Sequence, residues 1–231
     1  MLALIGHGYI AHYISQELDN QNIKYNWISH NDDIPLCTDA IINATGYTGV
    51  PNVDTCEYNK DLCIAGNVLF PLELERSSKV PVFHVSSGCV YTGYKNEGWL
   101  ETDEPNFTFA NGSFYSASKV LEQKLLEPYL KDRSYLFRIR MPFGPDKKDK
   151  NLLMKLQKYE KLIDYRNSVT NVEEFAKCIL HFVENKPEPG IYNAVNTGSV
   201  TTKEIVDIFG WNKEFMSIDE FKSITVAPRS N

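Results

Sequence analysis

Two places in this chain carry side chains whose types and spacing suit proton and carbonyl chemistry. In FHVSSGCVY (83–91) an apolar run ends on Ser87, and a thiol, Cys89, follows two residues later. In FYSASKVLEQKLL (114–126) Tyr115 and Lys119 stand four apart, so on a helix they share one face. An ammonium beside a phenol stabilises the phenolate and lowers its pKa, which would make Tyr115 a usable acid or base near neutrality. Ser87 would hydrogen-bond a substrate carbonyl and aim it at the tyrosine. A second pair, Tyr91 and Lys95 in YTGYK, is broken by glycine, and its spacing has no geometric meaning. Cys89 admits two readings, a small hydrophobe ending a strand or a catalytic thiol.

Placing these groups requires a scaffold, and the apolar periodicity describes one. Short runs at LALI (2–5), KYNWI (24–28), AIINAT (40–45), VPVFHVSS (80–87) and YLFRIR (135–140) alternate with helical patterns ending near 19 and spanning about 55–77 and 113–129. Such alternation predicts an α/β fold, a Rossmann-type doubly wound parallel sheet. Only SHNDDIPLCTD separates the second and third strands, so a loop or single turn is expected where a crossover helix normally sits. Past residue 140 the pattern loosens into PFGPDKKDKN, helices near 152–160, 172–185 and 201–209, and a strand GIYNAV. Residues 1–140 are read as a dinucleotide-binding domain and 141–231 as a smaller, partly interleaved substrate-binding lobe over the strand ends.

The turn Gly6-His7-Gly8-Tyr9-Ile10-Ala11 follows the first strand and opens a helix. Its glycines let the backbone approach a pyrophosphate, whose charge the helix N-terminus favours. The second strand ends Ile28-Ser29-His30-Asn31, without the acid that would bond a free ribose 2′-hydroxyl. This favours a 2′-phosphate, hence NADPH over NADH, with His30 a contact; the alternative is that these are ordinary loop polars. A cationic nicotinamide would further depress the pKa of Tyr115.

Composition narrows the remaining classes. With 24 basic against 30 acidic residues, a formal charge of −6 disfavours nucleic acid as a partner, and any anionic ligand must be held locally. No run is long enough to span a bilayer, and MLALIGHGYIAHYISQEL lacks the features of a signal peptide, so a soluble, cytoplasmic protein is expected. Five cysteines without a CxxC pair suggest neither a disulfide framework nor zinc, and His7 and His12 lack an acidic partner; no metal is expected.

Gly6 to Ala11, Asn43-Ala44-Thr45-Gly46, Ser87 and Tyr115 to Lys119 together resemble an extended short-chain dehydrogenase/reductase. More narrowly, GYTGVPNVDTCE (46–57), SSGCVY (86–91), DEPNFTFANGSFYSASK (103–119), RIRMP (138–142), NSVT (167–170), GIYNAVNTGSV (190–200) and VAPRSN (226–231) resemble the bifunctional 3,5-epimerase/4-reductases of UDP-rhamnose synthesis. The 4-reductases of dTDP-rhamnose synthesis are more distant relatives. The resemblance implies conversion of an NDP-4-keto-6-deoxyglucose, UDP- or dTDP-linked, to NDP-L-rhamnose with NADPH. It implies a cofactor site comprising Gly6, His7, Gly8, Tyr9, Ile10, Ala44, Thr45, Tyr115, Lys119 and Pro142, and Ser87, Asn151 and Arg229 at the nucleotide sugar. The epimerase pair would be Cys89 and Lys155, although Lys155 also reads as a solvated lysine on a short helix. A homodimer through the 55–77 and 113–129 helices is implied too.

The glycine turn is one residue shorter than the GxxGxxG usual in that family, and the second-to-third strand connection is shortened as well. Three functional readings stand at this point: the bifunctional enzyme, a 4-ketoreductase in which Cys89 and Lys155 are idle, and a non-catalytic NADP-binding protein.

Overall fold

Six of the short apolar runs join one parallel sheet in the order β2-β1-β3-β4-β5-β10. The computed structural model describes residues 1–29 and 32–226. Its first half runs β1 (Leu2–Ile5), α1 (Tyr9–Asn20), β2 (Tyr25–Ile28), β3 (Ala40–Asn43), a 3-10 turn (Val53–Glu57), α2 (Lys60–Ile64), a π turn (Ala65–Leu69), α3 (Phe70–Ser77), β4 (Val82–Ser87), α4 (Phe114–Leu130) and β5 (Tyr135–Ile139). The second half runs β6 (Pro142–Phe143), α5 (Leu152–Lys158), β7 (Lys161–Ile163), β8 (Arg166–Asn167), β9 (Thr170–Asn171), α6 (Val172–Asn185), β10 (Gly190–Asn193), β11 (Val200–Thr201), α7 (Thr202–Ile208), β12 (Glu214–Met216) and α8 (Ile218–Ile224).

Alternate residues of the strands serve opposite layers, as the two-residue period of a strand requires. Leu2 and Leu4 pack with Ile42, Phe83 and Phe137 under α1 and α6. Ala3 and Ile5 pack with Ile41, Val82 and Leu74 of α3, and Leu126 and Leu130 of α4 close on Leu136 of β5. The result is a sheet covered on both faces, and its order reverses between β1 and β3, where such folds hold their ligands.

Residues 32–39, the described part of the β2–β3 connection, contain no helix. Ile34 packs instead against the Ala3, Ile5, Ile28 and Ile41 cluster, supplying part of the cover a crossover helix would give.

One helix differs from its sequence pattern. The single helix expected over 55–77 is a 3-10 turn, a break and then α2, a π turn and α3; Asn59 sits at the break with φ −118° and ψ 58°, outside the helical region. Within the π turn Gly66 lies against Tyr47, 3.3 Å from where a Cβ would reach, and Asn67 Nδ2 donates to Tyr47 O at 3.0 Å. The extra residue of the π turn thus swings Asn67 toward the loop that follows β3.

Beyond residue 140 the chain serves two places. The small strand pairs β6–β9, β8–β11 and β7–β12, with α5 and α7, enclose their own cluster of Leu152, Leu156, Leu162 and Val206. Helix α6 and strand β10 return to the central sheet, β10 pairing with β5 from Gly190↔Tyr135 to Asn193↔Arg138. A whole helix and a whole strand beyond residue 140 thus belong to the central layers.

Candidate active site

At the end of β1 the chain turns through Gly6, whose φ is +108° and whose missing Cβ would stand 2.8 Å from Ala44 O. Only glycine fits there, because both the backbone angle and the approach of the β3 loop exclude a side chain. Gly8 caps α1 without a side-chain hydrogen bond, and nothing lies within 4 Å of where its Cβ would be. The amides of the first turn of α1 therefore open on a cavity of about 400 Å³ bounded by His7, Gly8, Tyr9, His12 and Trp27. Trp27 stacks on His7 with ring centroids 5.1 Å apart, and its Nε1 donates to Gly6 O at 2.5 Å. An open, glycine-lined helix N-terminus of this kind fits a dinucleotide diphosphate. The expected contacts Ile10, Ala44 and Thr45 lie on the same turn and on the adjoining β3 loop.

Thr45 is anchored from beneath. Asn43 Oδ1 accepts from Thr45 N at 3.1 Å and from its Oγ1 at 2.7 Å. Asn43 Nδ2 lies 3.1 Å from His84 Nδ1, and His84 Nε2 lies 3.0 Å from Glu75 Oε1. Arg133 closes the chain on Glu75 Oε2 at 2.8 Å. Asn43, His84 and Glu75 are all buried, so the series ties the loop beside the glycine turn to the far end of the sheet.

Ser87 and Tyr115 come together at the end of β4, near enough for the Ser87 hydroxyl to act on the phenol, and Ser87 Oγ accepts from Cys89 N at 3.1 Å. Lys119 is buried one turn further along α4, close to Gly46, where a Cβ would come within 3.7 Å of its Nζ. The sequence predicts a depressed Tyr115 pKa, and here the structure corrects it. Burial pushes the phenol up, and the nearby Cys89 adds to this, while the Ser87 hydroxyl works the other way. Lys119 does not offset burial because its Nζ is paired with Glu122 at 3.1 Å. Glu122 in turn accepts from Ser86 Oγ at 2.6 Å and adds to the upward push on Tyr115.

Cys89 is half-buried, and its Sγ lies 2.6 Å from Arg140 Nη1; Arg140 Nη2 also donates to Asn167 Oδ1 at 2.6 Å. Lys155 on α5 is half-buried as well. Its ammonium is held below the ordinary lysine range by burial first and then by Lys150, and it feels Cys89 acting in the opposite direction. Thiol and amine therefore belong to one electrostatic environment. Behind them, Cys56 and Cys63 pack with Tyr115. The two thiols act on each other, Cys63 being pushed down and Cys56 up, and Ser118, Asn67 and Lys119 help to lower Cys63 against desolvation.

Between β5 and β6 the chain bends through Met141, a non-glycine residue with φ 42°. Such backbone costs on the order of 1–3 kcal/mol and clusters at functional sites. It brings Pro142 to the head of the sheet, where the cofactor was expected to touch it. Asn151, expected at the substrate, has no spare polar atom. Its Nδ2 donates to Gly144 O at 2.7 Å and Asp146 O at 2.6 Å, and its Oδ1 accepts from Leu153 N at 3.0 Å. It is the N-cap of α5 and the pin of its own loop. The expected contacts His30 and Arg229 lie outside the described residues. Among the described residues no group of three or more His, Cys, Asp or Glu side chains converges as a metal site, and no helix is long and apolar enough to cross a membrane.

Glu122, Ser86, Arg140 and Asn67 were not singled out from sequence. Glu122 had a legible signal, three residues after Lys119 on the same helix face. The others depend on tertiary placement.

Residues 32–226 match the family model described as the RmlD substrate binding domain. Among curated proteins, the chain is 34% identical over 209 residues to a bifunctional dTDP-4-dehydrorhamnose 3,5-epimerase/dTDP-4-dehydrorhamnose reductase of Arabidopsis thaliana, covering 83% of this chain and 67% of that protein. It is 31% identical over 97% of its length to a trifunctional UDP-glucose 4,6-dehydratase/UDP-4-keto-6-deoxy-D-glucose 3,5-epimerase/UDP-4-keto-L-rhamnose-reductase of the same plant, spanning only 36% of that longer protein. The crystal structure of the UDP-rhamnose synthase of Acanthamoeba polyphaga mimivirus superposes with a TM-score of 0.90 at 23% identity, over 100% of this chain and 89% of that one. A dTDP-4-dehydrorhamnose reductase of Bacillus anthracis in complex with NADP superposes with a TM-score of 0.81 at 20% identity, over 99% and 87%. These two superpositions establish the shared fold.

Proposed function

Because the chain belongs to the RmlD substrate-binding-domain family, we propose that it is an NADPH-dependent reductase of a nucleotide-linked 4-keto-6-deoxyhexose, acting in rhamnose formation. The observation that carries this reading is the meeting of Ser87, Tyr115 and Lys119 at the head of a sheet whose glycine turn opens on a cavity. A binding module has no need of all three. NADPH, when bound, supplies the hydride that reduces the ketone. Ser87 and Tyr115 hydrogen-bond the C4 oxygen, and Tyr115, kept protonated by burial, gives its proton to the alkoxide that forms. Lys119 and Glu122 fix the polar floor beneath them.

The same pocket supports the 3,5-epimerase half of the reaction. A C4 ketone acidifies the hydrogens on C3 and C5, and the Ser87–Tyr115 pair stabilises the enolate oxygen formed when either is removed. Cys89 and Lys155 are the proposed base and acid, the depressed ammonium of Lys155 making it a better proton donor than a solvated lysine. UDP and dTDP substrates are both compatible with this chemistry. The exposed Leu62, Leu69 and Leu125, on the neighbouring α2, π turn and α4, favour a homodimer through that face.

The test is incubation with NADPH and UDP- or dTDP-4-keto-6-deoxyglucose, followed by NMR of the sugar. A rhamnose-configured product supports both activities. Cys89→Ala is expected to abolish solvent-deuterium exchange at C3 and C5 while ketone reduction of a pre-epimerised substrate remains. Exchange retained in that variant would leave a reductase alone, and no NADPH consumption with either nucleotide would remove the enzymatic reading.

A further inference from the structure

A 2′-phosphorylated cofactor needs a cation near its adenosine ribose, because that phosphate carries about −1.5 to −2 charge at neutral pH. The usual place to look is the end of β2. In this chain residues 29–39 contain three aspartates and no lysine or arginine, within a protein of net charge −6. The cavity at the glycine turn nevertheless has cations in its wall: Lys148, Asp149 and Lys150 line it together with His12 and Trp27, two positive charges against one negative.

Those lysines arrive on the loop 144–151, which the sequence places with the substrate lobe. Its docking is on α1 instead. Tyr13 hydrogen-bonds Asp146, and Gly144 sits so close to α1 that a Cβ would lie 3.1 Å from Tyr13 Oη and 3.2 Å from Tyr9 Oη. Asn151 holds the carbonyls of Gly144 and Asp146 from the other end. Lys150 Nζ then donates to Thr48 Oγ1 and Gly49 O, both at 3.0 Å, tying the loop to the segment after β3. The loop thus packs on the first turns of α1, with Lys148 exposed and lining the same cavity as Trp27 of β2.

We propose that Lys148, carried on this strap, recognises the cofactor's 2′-phosphate, in place of the lysine or arginine that the β2–β3 connection lacks. The assignment rests on the NADPH reading given above. Lys150 is the latch that sets the strap's position, and Lys148 is the specificity determinant.

Calorimetric titration of wild type, Lys148→Gln and Lys148→Arg with NADPH, NADH and adenosine 2′,5′-bisphosphate tests this without reference to turnover. Lys148→Gln is expected to weaken NADPH and the bisphosphate by about tenfold, the scale of one charge-assisted phosphate contact, with NADH changed less than about twofold. Lys148→Arg is expected to restore most of the loss. Equal weakening of NADPH and NADH, or no change in either, overturns the assignment while leaving the NADPH reading intact. Failure of the wild type to bind any of the three overturns both.

Discussion

Tyr115 is held protonated by its burial, and the charge meant to counter that is spent on Glu122. At the level of single residues this makes Glu122 a positioning group with an electrostatic consequence. If Tyr115 is the general acid proposed above, activity is lost as it ionises, and the basic limb of the kcat/KM profile reports its phenol. Glu122 raises that phenol and also neutralises Lys119, so Glu122→Gln is expected to move the basic limb to lower pH. A purely structural role would lower the rate and leave the limb in place. Tyr115→Phe serves as the control and should remove the limb, with reduction slowed by on the order of 10²–10⁴-fold.

Among the elements, β3 and β4 do more than present residues at their ends. The Thr45–Asn43–His84–Glu75–Arg133 series couples the cofactor loop to α3 and to the start of β5 through groups sealed inside the sheet. His84→Ala leaves Asn43 and Glu75 without their buried partner, a loss worth about 3 kcal/mol. For a chain of this size, that should lower Tm by about 6–12 °C in a calorimetric scan. His84→Gln, which keeps a donor and an acceptor, should recover part of it.

The strands and the glycine turn were legible because apolar period and glycine placement are local signals. So were Ser87, Tyr115 and Lys119, which sit at the end of a strand and on one helix face. The π turn that delivers Asn67 was not, since its cause is contact with Tyr47, distant in sequence. Lys148 and Lys150 fall in a stretch assigned to the substrate-binding lobe, and only its docking on α1 brings them to the cavity at the glycine turn. Asn151 was legible as a polar residue near the site but not as one consumed by its own loop.

At the scale of the whole molecule, several tyrosines stay protonated beyond their ordinary range. Burial, as the leading cause, raises Tyr9 and Tyr115, and it pushes Tyr13 up to about 12. In the unfolded chain these phenols ionise near 10. Above that pH the native state binds more protons than the unfolded one, so the stability of the fold falls as pH rises. Urea midpoints should decline as pH rises from about 10 to 12, and Tyr13→Phe should soften the decline in that window.

The pairing of β10 with β5 has a consequence for synthesis. Tyr135–Ile139 is buried throughout, yet its outer neighbour is Gly190–Asn193, some fifty residues later in the chain. While the protein is being made, β5 must wait as an unpaired apolar edge until that partner leaves the ribosome, and such an edge is a template for pairing with other chains. Severing the polypeptide near residue 140 would make that waiting state permanent. Residues 1–140 and 141–231 are therefore expected not to fold as separate pieces.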